Sequence, residues 1–141
     1  VTYGSIVHDP TSSLDADIPL DRSLHEQLAA TVLSWTPGDD SLPPTADIEQ
    51  VALRLTGYAN LLVREVQSTA MALPRDGQAS TVAARTLAHI AIGEAIRRLS
   101  VPPVPGRHPL RVAQSQARLV RALHVALDRV LAAAPVSVTS P

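Results

Sequence analysis

The chain has 141 residues, enough for one domain around one core, and it contains no Cys, which rules out disulfides, thiolate nucleophiles and Cys-ligated zinc. A net charge of −1 hides a split: three arginines and ten acids precede Pro74, whereas nine arginines and three acids follow it. Such a split can staple two halves together or show an anionic partner a basic face. Aromatic residues are nearly missing, with only Trp35, Tyr3 and Tyr58, so stacking platforms for nucleic-acid bases are not available. No apolar run approaches the roughly 18 residues of a membrane span. The start Val-Thr-Tyr-Gly-Ser has neither the basic stretch nor the apolar stretch of a signal peptide, and a cytoplasmic location is expected.

Residues 1–20 carry Gly4, Pro10, Pro19 and clustered Ser, Thr and Asp without a helical period. They read as an extended N-terminal arm that Tyr3, Ile6 and Val7 can clip onto the rest. Helix one is predicted from Asp21, a good N-cap, to Trp35. Ser23 with Glu26 offers a competing capping box. Its expected core line is Leu20, Leu24, Leu28, Thr31 and Trp35. Pro37-Gly38-Asp39-Asp40 ends it.

Helix two is predicted without a break from Thr45, as its cap, to about Ala72. Ile48, Val51, Ala52, Leu55, Ala59, Leu62, Val66 and Ala70 keep the 3.6-residue period throughout. Helix three is expected over 80–99. Ala84, Ala88, Ala91 and Ala95 form an alanine stripe, and Val82, Leu87, Ile90, Ile92 and Ile96 spread around the rest of the circumference. A helix apolar on most sides reads as the central one. Helix four is expected over 110–134, with Ala113, Ala117, Val120, His124, Leu127 and Leu131 as its core line. Short links make antiparallel neighbours economical. The prediction is therefore an all-α, antiparallel four-helix bundle over 21–134, between the arm and a short tail over 135–141.

The stretches Leu99-Ser100-Val101-Pro102-Pro103 and Ala117-Arg118-Leu119-Val120-Arg121-Ala122-Leu123 resemble a family of small uncharacterised actinomycete proteins. So do Leu20-Asp21-Arg22-Ser23-Leu24 and the run from Ile48 to Gly57. Some members are labelled as associated with natural-product biosynthesis. The resemblance implies that setting and transfers no catalytic residue.

No phosphate loop, metal-binding His pair, nucleophile elbow or EF-hand is present, so no cofactor and no metal are expected. His124 lies on the apolar line of helix four, with Asp128 one turn on and Arg121 one turn back. Folding helices three and four as a hairpin brings Arg85 level with His124 and His89 level with Val120. Arg85, His89, Arg121 and His124 are thus the candidate ligand-binding residues, and His124 with Asp128 is the candidate acid–base pair. Glu65 on helix two comes level with His89. The plain alternative is a buried His satisfied by local partners. Arg111, Arg118 and Arg129 share one side of helix four, near Arg97, Arg98, Arg107 and His108, and form either a phosphate-tracking face or a solvated one. Leu53, Gly57 and Leu61 line the outer side of helix two. They form a homodimer seam, unless helix one crosses over them.

These features predict a small accessory protein that binds a small molecule or a partner protein between helices three and four. A cofactor-free enzyme using His124 and Asp128 is the alternative. A nucleic-acid regulator using the helix-four arginines is a further one, disfavoured by the acidic first half.

Overall fold

The computed structural model describes residues 21–101 and 108–134. The expected arm, the tail and Arg107 lie outside these residues. Four helices account for most of the described chain: α1 (Arg22–Ser34), α2 (Thr45–Met71), α3 (Ala79–Leu99) and α4 (Pro109–Ala133). No strand occurs among the described residues. The all-α four-helix bundle is what the periodicities predict.

Local chemistry sets the helix ends. The Asp21 carboxylate caps α1 by accepting from the Leu24 amide at 3.2 Å, while Ser23 sits inside the helix. At α2 the expectation shifts by one residue: Pro44 occupies the cap position without a side-chain bond, and Thr45 is the first helical residue. Proline suits that entry because its fixed φ already matches. From there α2 runs unbroken for 27 residues, about 40 Å at 1.5 Å per residue. Gly77, at φ 74°, turns the chain between α2 and α3 in a conformation that L-residues with a Cβ avoid. Carbonyls at the end of α1 and just past α2 are held by side chains from other helices. Gln114 Nε2 donates to the Val32 and Trp35 carbonyls at 3.1 and 2.9 Å. Arg85 Nη2 donates to those of Leu73 and Pro74 at 3.1 and 3.0 Å. The α2 terminus has no basic residue of its own, so Arg85 supplies the cation that the helix dipole favours there.

The core is built around α2 and α4, which pack along each other. Leu55, Leu62, Val66, Leu119, Val120, Leu123 and Val130 are fully enclosed. Burying a side chain of this size contributes roughly 1.5–3 kcal/mol. Between the two helices, Gln116 Nε2 donates to Thr56 Oγ1 at 2.9 Å. α1 packs on one side of this pair and α3 on the other, and α1 and α3 do not meet. Arg22 pairs with Asp128 near the end of α4, whereas Val32 pairs with Gln114 near its start. α1 and α4 therefore run antiparallel.

Three expectations about faces are corrected. α3 is not central. It turns Thr81, Ala84, Ala88, Ile92 and Ala95 to the bundle and leaves Val82, Leu87, Ile90 and Ile96 exposed. The alanine side wins because it lets α3 approach the α2–α4 pair closely, which a side of branched residues would prevent. α1 is rotated by one residue, about 100°. His25, Ala29 and Val32 are buried, while Leu24 and Thr31 are exposed. That rotation brings Arg22 to Asp128 and His25 onto Tyr58, and α1 is too weakly amphipathic to resist it. Leu131 is 52% exposed, because α1 begins level with Asp128 and leaves the last turn of α4 uncovered.

Candidate functional site

His124 is buried, 4% exposed, as its place on the apolar line of α4 predicts. An enclosed imidazole needs partners on its nitrogens. Its Nε2 lies 2.7 Å from the Tyr58 hydroxyl of α2. The His25 ring of α1 stacks on Tyr58 with centroids 3.8 Å apart and planes 2° from parallel. His25 Nδ1 donates to the Asp21 carbonyl at 2.7 Å, which fixes the proton on that nitrogen because a carbonyl only accepts. Three helices thus contribute His25, Tyr58 and His124 to one buried polar column.

The protons in the column follow from its surroundings. Burial pushes the Tyr58 hydroxyl up to about 12, so it keeps its proton, and the Glu26 carboxylate near Nδ1 favours the tautomer whose Nε2 accepts from that hydroxyl. The neutral imidazole of His124 then carries its own proton on Nδ1, which faces the Glu26 carboxylate at 4.0 Å. Burial, and then the charge of Arg22, hold His124 below the ordinary imidazole value, and Glu26 and Asp128 only partly oppose them. Burial likewise lowers His25. Both rings are neutral at neutral pH.

Above the column sits Arg22. Its Nη1 and Nη2 donate to the two oxygens of Asp128 at 2.6 and 2.9 Å, and its Nε donates to Glu26 at 2.8 Å. The guanidinium holds Asp128 below the usual carboxylate range and is itself driven further up. This fork suits Arg and not Lys. Arg22 belongs to the acidic half and Asp128 to the basic half, so this pair joins the halves with the polarity opposite to that of their totals.

A shallow hollow of about 330 Å³ adjoins these groups between α1 and α4. Arg22, Glu26, Arg121, His124, Val125 and Asp128 line it. Arg121 is exposed there and forms no ion pair among the described residues.

The predicted site residues separate. His124, Arg121 and Asp128 share the hollow, but both oxygens of Asp128 serve Arg22, so the expected His124–Asp128 acid–base pair is not formed. Arg85 does not reach His124, because its guanidinium is fastened to the end of α2 and its Nε is buried without a partner. His89 and Glu65 are exposed, away from the hollow. The hollow beside His124 accordingly lies between α1 and α4, and the pocket expected between helices three and four is corrected to that place. Arg22, His25, Glu26 and Tyr58 were missed. Their signal was present in part: Tyr58 lies three residues after Leu55 and four before Leu62, on the core face of α2, where a hydroxyl needs a partner.

Among the described residues, no three His, Asp or Glu side chains are placed to hold a metal ion, and no helix is long and apolar enough to cross a membrane. Arg111, Arg118 and Arg129 are exposed along one side of α4. Arg97 and Arg98 instead pair with Glu94 on their own helix. Leu53, Gly57 and Leu61 are exposed as well, and α1 does not cover them.

The fold and this site define a small helical bundle fastened by a buried polar column. The chain belongs to the family of unknown function DUF6415, whose profile matches residues 25–135. The match covers α1 from His25 onward and the whole of α2, α3 and α4, and it includes His25, Tyr58, Arg121, His124 and Asp128. No curated protein and no solved structure matches the chain significantly.

Proposed function

We propose that this chain is a non-catalytic helical binding module. Its hollow between α1 and α4 receives an acidic group of a small molecule or of a partner protein. The observation that carries this reading is the pairing of donors at the hollow. The Nδ1–H of His124 faces it from a buried ring whose other nitrogen is committed to Tyr58, and Arg121 stands beside it with no ion pair among the described residues. Arg22 is spent on Asp128 and Glu26, so the positive charge left at the rim is that of Arg121. A carboxylate or phosphate oxygen can accept from both donors. The setting in actinomycete specialised metabolism rests on the sequence resemblance alone, and the cytoplasm is the location proposed for it.

The acid–base enzyme is the weaker reading, since Asp128 is not free to orient His124. Nucleic-acid binding has the exposed α4 arginines in its favour and the acids of α1 and α2 against it.

Titration with sodium acetate, citrate and inorganic phosphate, followed by imidazole NMR, tests the proposal. His124 is expected to shift with at least one of them and to stop shifting in Arg121→Ala. If His124 ignores all three anions, or shifts equally without Arg121, the reading fails. Salt-sensitive retention on heparin that disappears when Arg111, Arg118 and Arg129 are replaced by Ala would favour nucleic acid instead.

A further inference from the structure

α3 spends its large residues on the wrong side for a solitary helix. Its buried face is mostly alanine, while Val82, Leu87, Ile90 and Ile96 are between 40% and 64% exposed. On α2, by contrast, Leu53 and Leu61 are exposed on a helix whose core face is already rich in Leu and Val. Surplus leucine explains α2 and does not explain α3.

The exposed positions of α3 also keep a regular spacing. Val82, Thr86, His89, Gly93, Ile96 and Ser100 are all exposed and follow one another by alternating steps of four and three. That is the spacing of a seam between two helices wound around each other. Bulk alternates along it: Val82, His89 and Ile96 are large, and Thr86, Gly93 and Ser100 are small. When the seam meets a reversed copy of itself, facing residue numbers sum to 182. Val82 then faces Ser100, Thr86 faces Ile96 and His89 faces Gly93, so that every layer sets a large residue against a small one. A Cβ at Gly93 would meet nothing within 4 Å in the isolated chain, so the room there is open to a partner. In the same arrangement Ile90, at 64% the most exposed of the four, flanks the axis and meets Ile90 of the second copy.

We propose that α3 is a self-association surface on which two copies of this chain pair antiparallel about a two-fold axis near residue 91. The occupant is a second copy because the seam complements its own reversal. Pairing buries Val82, Ile90 and Ile96, which otherwise stand in water. The contact spans about five turns of a single helix and falls short of the roughly 800 Å² per partner of a tight complex. Dissociation constants on the order of 10–100 μM are therefore expected. This interface is separate from the hollow between α1 and α4, so either proposal can fail alone.

The absence of Cys makes the test clean. The full chain is expected to pass from monomer to dimer between about 1 and 500 μM in sedimentation velocity, the range that brackets such a contact. Ile90→Glu, a change at an exposed position, should weaken pairing at least tenfold, while Leu61→Glu on α2 leaves it unchanged. Under mild oxidation at 100 μM or so, Ile90→Cys should cross-link rapidly and Gly57→Cys slowly. A wild-type chain that stays monomeric overturns the proposal. So does a dimer that ignores Ile90→Glu, or cross-linking at Gly57 that equals or exceeds cross-linking at Ile90.

Discussion

α1 and α3 flank the same pair of helices and are held there by opposite means. α1 is fastened by directed polar contacts: a forked Arg22–Asp128 pair, a His25–Tyr58 stack and two hydrogen bonds from Gln114. α3 is held by close contact of its alanines, and the described bonds that tie it to the rest come from Arg85. A polar clamp fixes direction and register, because each bond has one geometry, and it weakens with pH and salt. An alanine face gives proximity and little else, which leaves the large side chains of the helix available for outside contact. One bundle therefore has a chemically sensitive flank and a sterically sensitive flank.

The sharpest way to break the comparison is to crowd the α3 side. Ala88 is fully buried, and Ala88→Leu should cost about 3 kcal/mol in urea unfolding, because the close packing there leaves no room for three added carbons. A loss below about 1 kcal/mol would mean that α3 is not closely packed. Next is the column under α1. Tyr58→Phe removes the hydroxyl bonded to His124 Nε2 and leaves a buried nitrogen without that partner, at a cost of about 2 kcal/mol. An unchanged urea midpoint would show that the bond contributes nothing net.

Acid should weaken the bundle through α1 and spare the α3 contact. His25 and His124 are held below the ordinary imidazole value when folded, so the unfolded chain binds more protons as pH drops. Their contribution is whole above about pH 6.5 and is lost as pH falls from there through their folded values. Asp128 is also lowered, but its loss belongs to the more acidic carboxylate range. Stability measured from pH 8 to 5 should fall below pH 6.5 and fall less in His124→Gln; a flat profile would refute the buried neutral pair.

The smallest effect is expected at Arg22. The side chains of Arg22 and Asp128 are 36% and 55% exposed, so solvent screens their bond. Arg22→Ala should cost about 0.5–1 kcal/mol, an amount near the limit of global unfolding. Amide exchange localises it: residues 22–34 should exchange faster and 79–99 at the unchanged rate. Faster exchange in both helices would show that the two flanks are coupled.

The helices themselves were legible in the sequence because period and punctuation agree. The unbroken apolar line from Ile48 to Ala70 fixes α2, and Asp21 and Pro37-Gly38 bracket α1. Faces were less legible where two stripes compete. In α1, Leu24-Leu28-Thr31 and His25-Ala29-Val32 differ by one residue, and the winner was decided by groups far along the chain, Tyr58, Gln114 and Asp128. In α3, an apolar residue count cannot distinguish a buried helix from one with an alanine inside and an aliphatic outside. The burial of His124 could be read from its own helix. Its partners could not, since Tyr58 is 66 positions away and Arg22 lies 106 positions from Asp128.

The polar clamp also gives the molecule an uneven optical response. The sole tryptophan, Trp35, closes α1, half-buried, with its carbonyl held by Gln114. Tyr58 lies beneath the same helix, and α3 carries no aromatic residue. Emission excited at the indole band therefore reports whether α1 is seated, while a change confined to α3 passes unseen by intrinsic fluorescence. A fluorescence melt and a backbone-dichroism melt of this chain are consequently two different measurements, and a gap between their midpoints would time the release of α1 against the loss of the bundle.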